Sequence, residues 1–182
     1  GAARFVPGAE DGPAGDRMAA IVANALTIGR AAGRVRSNCP GAVIGWSLGA
    51  EGAWTLAASD HIGVRAAVMY YPTVRRPQPY RNALPVLVLQ GTVDNVTPEF
   101  ELRSFLSARP ADSANAEIVT FTGASHGFDV PSLEPARTMR FPPLIGQRVT
   151  FAYNAGAADS AASALEAFLR RERIIGGECT AD

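Results

Sequence analysis

The sequence predicts an α/β domain with a mostly parallel sheet of about four strands and helices packed around it. Four apolar runs, several of them rich in β-branched residues, alternate with loops and helical segments, which is the order that parallel strands with helical crossovers require. The runs are residues 42–44, 64–70, 85–90 and 117–121. A length of 182 residues with 47% hydrophobic content suffices for one core but not for two ordinary domains, so we treat residues 1–182 as one domain.

Helices are predicted between and beyond these strands. Apolar residues at steps of three and four indicate one helix over residues 16–33 and another over residues 157–169. An alanine-rich helix is expected over residues 48–58. Thr97 is expected to cap a helix that extends to about Arg109, because a proline and a glutamate follow it in the first turn.

Charge and hydropathy argue against several classes of partner. The 17 basic and 17 acidic residues balance, so no broad cationic face is available for nucleic acid or anionic lipid. No apolar run approaches the roughly 20 residues of a membrane-spanning helix, and the amino terminus lacks the pattern of a secretory signal. We therefore expect no nucleic-acid or membrane partner, and a cytoplasmic location. Every basic residue is arginine, which excludes a lysine nucleophile.

The two cysteines give a weak signal. Cys39 and Cys179 have neither CxxC spacing nor neighbouring histidines, which argues against a zinc site. Two plain thiols are the expected state. The alternative is a disulfide, because the predicted layout puts both residues near one end of the sheet; it would suit a secreted protein in an oxidising compartment.

A G-x-S-x-G pentapeptide at residues 45–49 lies between a predicted strand and a predicted helix. Such a turn is sharp and would project the Ser47 hydroxyl above the sheet as a nucleophile. Gly45 and Gly49 are expected to be steric requirements of the close approach between strand and helix. The Leu48 amide, at the helix start, would face the oxyanion of a tetrahedral intermediate.

Only two histidines are available to activate a serine hydroxyl, which is a weak nucleophile at neutral pH. His61 lies in a helix-to-strand turn, at the opposite end of a parallel sheet from the nucleophile, and is expected at the surface. His126 follows the strand at residues 117–121, where the active-site loops of such sheets collect. We therefore predict His126 as the base, with an ordinary loop histidine as the alternative.

The carboxylate that would orient His126 is expected after the strand between Ser47 and His126. Asp94 stands there, and the order Ser, Asp, His is that of the α/β-hydrolase arrangement. One alternative is that Asp94 only shapes the turn before a helix. The other is that Asp129 is the partner, but a residue three positions along the same loop rarely aims back at the imidazole.

Four segments together resemble the dienelactone hydrolase family. They are residues 45–49, 90–94, 123–128 and 151–154. The His-Gly-Phe element that begins at His126 is the most specific of these signals. The resemblance covers about residues 16–173 and implies an α/β-hydrolase fold that cleaves an ester or lactone through an acyl-enzyme. The best-known members carry cysteine as nucleophile, so Ser47 favours a broader esterase.

The resemblance also implies several strands before the nucleophile strand, and an oxyanion-hole amide from that part of the fold. Only 41 residues precede the strand predicted at residues 42–44, and they contain no convincing second strand. We therefore expect a partial domain with an apolar edge strand that something must cover. An upstream segment outside this sequence is the preferred candidate, and another chain is the alternative.

Three regions are candidates for substrate contact. Trp46 adjoins the serine and Tyr71 ends a predicted strand on the catalytic side, although a tryptophan in such a position is more often a packing residue than an aromatic wall for the acyl group. Residues 73–82 carry arginines that would suit an anionic substrate, with a solvated loop as the more ordinary explanation. Residues 129–149 form a long connection and a candidate lid or specificity loop.

These observations lead to one hypothesis, a hydrolase of a small-molecule carboxylic ester or lactone. Ser47 attacks the carbonyl carbon, His126 transfers the proton and Asp94 orients the imidazole. The mechanism requires no metal or cofactor. An acyltransferase or a peptidase with the same triad, and a non-catalytic binding module with this fold, are the alternatives.

Overall fold

The computed structural model describes residues 14–36, 38–58, 63–73, 81–140 and 148–179. A four-stranded sheet forms the centre, in the order β1-β2-β3-β4, and every neighbouring pair is parallel. The strands are β1 (Gly41–Trp46), β2 (Val64–Tyr70), β3 (Val86–Gly91) and β4 (Ala116–Phe121). The predicted α/β class and the four parallel strands are therefore confirmed.

Helices lie on both faces of this sheet. They are α1 (Ala14–Ala31), α2 (Gly49–Ala57), α3 (Glu99–Ser107) and α4 (Ala155–Arg171). One core layer joins β2 and β3 to α2 and α3 through residues such as Val86 and Leu102, and the other joins them to α4 through residues such as Leu87 and Phe168. All of β3 is buried, as expected of a strand covered on both faces.

The expected cap of α3 is wrong. Pro98 occupies the N-cap position and no side chain caps the helix. Thr97 is buried, and its carbonyl oxygen accepts a hydrogen bond of 2.9 Å from the Gln90 side chain. The buried side-chain amide of Gln90, near the end of β3, holds Thr97 towards the core. This contact outweighs the preference of a threonine before Pro and Glu to cap a helix.

An antiparallel pair of strands, which the sequence analysis missed, follows β4. It consists of β5 (Arg137–Arg140) and β6 (Arg148–Phe151), and residues 141–147 between them lie outside the described residues. All four residues of β5 are exposed and only Met139 among them is apolar, so the strand carries no apolar alternation that a sequence pattern could reveal. β5 and the first two residues of β6 lie within the segment expected to be a lid or specificity loop.

A disulfide joins Cys39 and Cys179, so the expectation of two plain thiols is wrong and the alternative holds. Cys39 comes just before β1, and Cys179 follows the end of α4. Parallel strands begin at one edge of the sheet, and the helix that crosses back from the opposite edge ends there, which brings the two cysteines together. Within the described part of the chain, no helix has the length and apolar character needed to span a bilayer.

Candidate active site

Three sequence-predicted side chains meet at the carboxyl edge of the parallel sheet. Ser47 directly follows β1, Asp94 lies three residues after β3, and His126 lies five residues after β4. Because parallel strands end at the same edge, loops that are far apart in sequence converge there. The topology therefore supplies the proximity that a three-residue site needs.

The three side chains form a continuous chain of hydrogen bonds. His126 Nε2 lies 2.8 Å from Ser47 Oγ, and His126 Nδ1 lies 2.8 Å from Asp94 Oδ2. A carboxylate only accepts, so Nδ1 carries the imidazole proton and Nε2 is free to accept the proton of the serine hydroxyl. The Asp94 and His126 side chains are almost completely buried, which strengthens their electrostatic interaction relative to one in water.

Asp94 makes both of the contacts that the sequence presents as alternatives, one to His126 and one within its own turn. Its Oδ2 faces His126, while its Oδ1 accepts a hydrogen bond of 2.8 Å from the Val96 amide and so shapes the turn. The carboxylate is held by backbone on one side and presents its other oxygen to the imidazole. Turn formation thus fixes the orientation of the group.

The turn at Ser47 has a strained backbone. Ser47 has a φ of 51°, which non-glycine residues rarely adopt, and its amide donates a 3.0 Å hydrogen bond to the Tyr70 carbonyl. The expected steric role of Gly45 is confirmed, because a Cβ there would lie 2.7 Å from the carbonyl carbon of Gly49 and closer still to its oxygen. The same expectation for Gly49 is wrong, since a Cβ at that position would meet nothing within 4 Å. At this crossing the Gly49 backbone packs against Gly45.

Leu48 occupies the N-cap position of α2. Amides at a helix start have no acceptor within the helix, and the helix dipole favours negative charge there. The location is therefore compatible with the expected oxyanion contact beside Ser47.

The two expected substrate contacts have different environments. Trp46 is 45% exposed and stacks on Tyr70, with ring centroids 5.3 Å apart. Tyr71 is only 3% exposed and packs against the His126 ring at 4.6 Å. Trp46 is therefore accessible to a substrate, whereas the buried Tyr71 ring packs on His126, which suits support of the imidazole better than substrate contact.

Asp129, the rival carboxylate, has both of its oxygens bonded to aromatic side chains rather than to His126. Its Oδ2 accepts a 2.8 Å hydrogen bond from Trp46 Nε1, and its Oδ1 accepts one of 2.6 Å from the Tyr71 hydroxyl. Burial and the Asp129 carboxylate raise the pKa of Tyr71, so the phenol remains a donor. Sequence reasoning missed this pairing, for which the only sequence signal is an acid close to the histidine and two aromatic donors at strand ends.

Some sequence predictions fall on residues that the structure does not describe. His61 and residues 74–80, with two of the loop arginines, lie there. Arg81 is described and forms an exposed ion pair of 2.7 Å with Asp112. Across the described ranges, no cluster of histidine, cysteine and acidic residues could hold a metal ion.

Solved structures with the same fold include several named hydrolases. A dienelactone hydrolase-like promiscuous phosphotriesterase from metagenomic libraries has a TM-score of 0.65 at 20% identity, and the alignment covers 86% of this chain and 61% of the phosphotriesterase. Thermogutta terrifontis esterase 2 with bound propionate has a TM-score of 0.61 at 17% identity, covering 93% and 70%. A Klebsiella pneumoniae protein described as a dienelactone hydrolase has a TM-score of 0.53 at 21% identity, covering 71% and 51%. These likenesses show the fold, and the chain spans between 51% and 70% of the three proteins' lengths.

Among curated proteins, none matches this chain by sequence. The sequence profile of the dienelactone hydrolase family matches residues 16–172. That range includes the segments around Ser47, Asp94 and His126 that carry the resemblance, and it confirms the resemblance. The chain belongs to the dienelactone hydrolase family.

Proposed function

We propose that this chain carries the catalytic centre of a serine-dependent carboxylic-ester or lactone hydrolase. The observation that carries the proposal is the hydrogen-bonded series from Ser47 Oγ through the His126 ring to Asp94, with both distances at 2.8 Å. Family membership and the fold support the same class of reaction.

In the proposed reaction, His126 Nε2 removes the hydroxyl proton as Ser47 Oγ attacks the acyl carbon. Asp94 stabilises the imidazolium that forms, and the Leu48 amide donates to the carbonyl oxygen as its negative charge develops. Collapse of the tetrahedral intermediate returns the proton to the leaving alkoxide and leaves an acyl group on Ser47. Water then attacks the acyl-enzyme by the same steps and releases the acid.

The experiment that tests this proposal is active-site labelling with a fluorophosphonate, followed by peptide mapping. Thermogutta terrifontis esterase 2, a structural neighbour, has been solved phosphorylated by paraoxon, so this reagent class suits the fold. We expect one adduct on Ser47, no adduct in Ser47→Ala, and an unchanged adduct in the control Ser104→Ala, whose serine lies exposed on α3. Absence of an adduct, under conditions that label a reference esterase, would favour the binding module.

Hydrolysis can be distinguished from acyl transfer and peptide cleavage by the bond that is cleaved and the group that accepts the acyl group. Acyl transfer and peptide cleavage use the same three residues and differ only in leaving group and acceptor. Product analysis of an ester reaction with a competing alcohol is expected to give the free acid as the main product. Predominant transesterification would replace hydrolase by acyltransferase, and turnover of peptides alone would indicate a peptidase.

We also propose that a further strand completes the sheet beside β1. Among the described strands, β1 pairs with β2 alone. A largely apolar groove of about 330 Å³ runs along its other side, lined by residues of β1, α1 and α2, including Ile21, Val43 and Ile44. Hydrogen exchange of the 182-residue chain tests this. We expect β1 amides to exchange much faster than those of β3, and equal protection would mean that the edge is already covered.

A further inference from the structure

We infer that Asp129 is a positioning residue that holds the His126 loop against the turn bearing Ser47. Its single carboxylate links the end of β1, through Trp46, to the residue after β2, Tyr71. The inference rests on the proposed function, since it concerns the alignment of the same hydroxyl and imidazole.

The two hydrogen bonds join parts of the chain that are distant in sequence. Trp46 immediately precedes Ser47, and its indole lies 83 residues before the carboxylate that it contacts. Tyr71 lies 58 residues before the same carboxylate. Asp129 itself follows His126 by three residues, so the loop after β4 is tied to the ends of β1 and β2. This link is independent of the contact between His126 and Ser47.

Tyr71 transmits the link to the imidazole. Its ring packs against His126 at 4.6 Å and meets Phe128 edge-on at 5.4 Å. The Tyr71 backbone has a φ of 37°, and its amide donates a 2.8 Å hydrogen bond to the Leu89 carbonyl. Tyr71 is thus fixed at its backbone by β3 and at its hydroxyl by Asp129, and its ring, held at both ends, contacts the imidazole.

The chemistry of the two donors explains why an acid occupies this position. An indole N–H can only donate, and the Tyr71 hydroxyl remains protonated, so both partners need an acceptor. A carboxylate offers an oxygen to each. An asparagine has one acceptor oxygen and one donor nitrogen, so it would satisfy one partner and present a donor to the other.

The alternative is that these hydrogen bonds only stabilise the fold. Steady-state kinetics on a small ester separates the two ideas, using Asp129→Asn, Tyr71→Phe and the surface control Asp112→Asn. A displacement of about 1 Å between reacting groups costs on the order of 100-fold in rate. We expect Asp129→Asn to lower kcat by about 10- to 100-fold with KM changed less than about 3-fold. We expect the control to match the wild type.

A double variant shows whether Asp129 affects kcat through Tyr71. If Asp129 acts through Tyr71, Asp129→Asn should have little further effect on kcat in a Tyr71→Phe background. Fully additive losses would overturn the proposed route. Tyr71→Phe also serves if Asp129→Asn does not fold, because it removes one hydrogen bond while keeping the buried ring.

A spectroscopic measurement tests the contact without relying on activity. The chain has two tryptophans, Trp46 and the buried Trp54. Asp129→Asn should change the fluorescence emission in the wild-type background and leave it unchanged in Trp46→Phe. A fluorescence change with an unaltered kcat would refute the positioning role while confirming the contact. An inactive, unlabelled wild type would instead refute the proposed function.

Discussion

Replacing Gly45 by alanine tests whether close packing of backbone places the nucleophile. A Cβ at this position would lie 2.7 Å from the Gly49 carbonyl carbon and 2.8 Å from Ala50 Cα. The Gly49 carbonyl oxygen is closer still, so reaching an ordinary separation of 3.4 Å requires β1 and the start of α2 to move apart by about 1 Å. All of these neighbouring atoms belong to the backbone, so no side chain can turn aside to absorb the change.

The expected losses follow from that displacement. Overpacking a rigid site costs about 1–3 kcal/mol, and the backbone contact places Gly45→Ala near the upper value. For a chain of this size, 3 kcal/mol corresponds to a fall in Tm of about 6–12 °C. Ser47 lies between the two separating segments, so it should move away from His126 by about as much as β1 and α2 move apart. We therefore expect kcat/KM to fall by about 100-fold.

Gly49→Ala is the matched control. The substitution lies four residues away in the same pentapeptide, but its Cβ would meet nothing within 4 Å. We expect Tm to stay level or rise slightly, because alanine is the better helix former, and activity to stay within about 2-fold. Calorimetry and ester hydrolysis are measured on both variants. Indistinguishable results would show that the steric argument is incorrect.

Asp94→Asn should lower kcat by about 10⁴-fold with little change in Tm, because the asparagine oxygen can still accept from the Val96 amide while its nitrogen faces His126 and favours the wrong tautomer. Kinetics with a melting curve measure this, and undiminished activity would remove Asp94 from the triad. Loss of the disulfide in a Cys39→Ser, Cys179→Ser variant should lower the free energy of unfolding by up to about 5 kcal/mol, since the closed loop spans 140 residues. Urea midpoints test this, and an unchanged midpoint would contradict it. Burial and Asp129 raise the pKa of Tyr71 above its ordinary 10.0, so the folded state keeps a proton that the unfolded state loses above about pH 10, and stability should fall as pH rises further. Unfolding at about pH 9 and 11 should show a smaller fall in Tyr71→Phe, and an equal fall would assign the effect elsewhere.

The sequence was sufficient to predict the elements that position the candidate triad. Apolar runs bounded by glycine and proline identify β1 to β4, and the parallel topology then places the residues after each strand at one edge. With only two histidines in the chain, the choice of His126 needed no structural knowledge. These inferences depend on local pattern and on a general property of parallel sheets, which is why they transfer from sequence to structure.

Other features depend on contacts for which no local pattern exists. Thr97 has the neighbours of a helix cap, but a buried Gln90 side chain takes its carbonyl oxygen. The first strand of the β5–β6 pair is exposed and has Met139 as its one apolar residue, so alternation gives no signal there. The predicted layout allows the pairing of Cys39 with Cys179, since β1 begins near the point to which the chain returns after α4, but no pattern around either cysteine indicates the bond itself.

The end of β2 contributes no member of the candidate triad, yet it sets the geometry of two of them. The Tyr70 carbonyl accepts from the Ser47 amide at 3.0 Å, and the Thr73 amide donates to the Ser47 carbonyl at 3.4 Å. These bonds hold the strained backbone of Ser47, while the Tyr71 ring packs against His126 at 4.6 Å. Sequence motifs identify residues with reactive side chains. Here, however, the backbone of residues 70–73 helps to position the Ser47 hydroxyl, and a sequence motif does not show such a contribution. Variants that shift this backbone should therefore lower kcat in ester hydrolysis, although the sequence pattern indicated only a substrate contact at Tyr71.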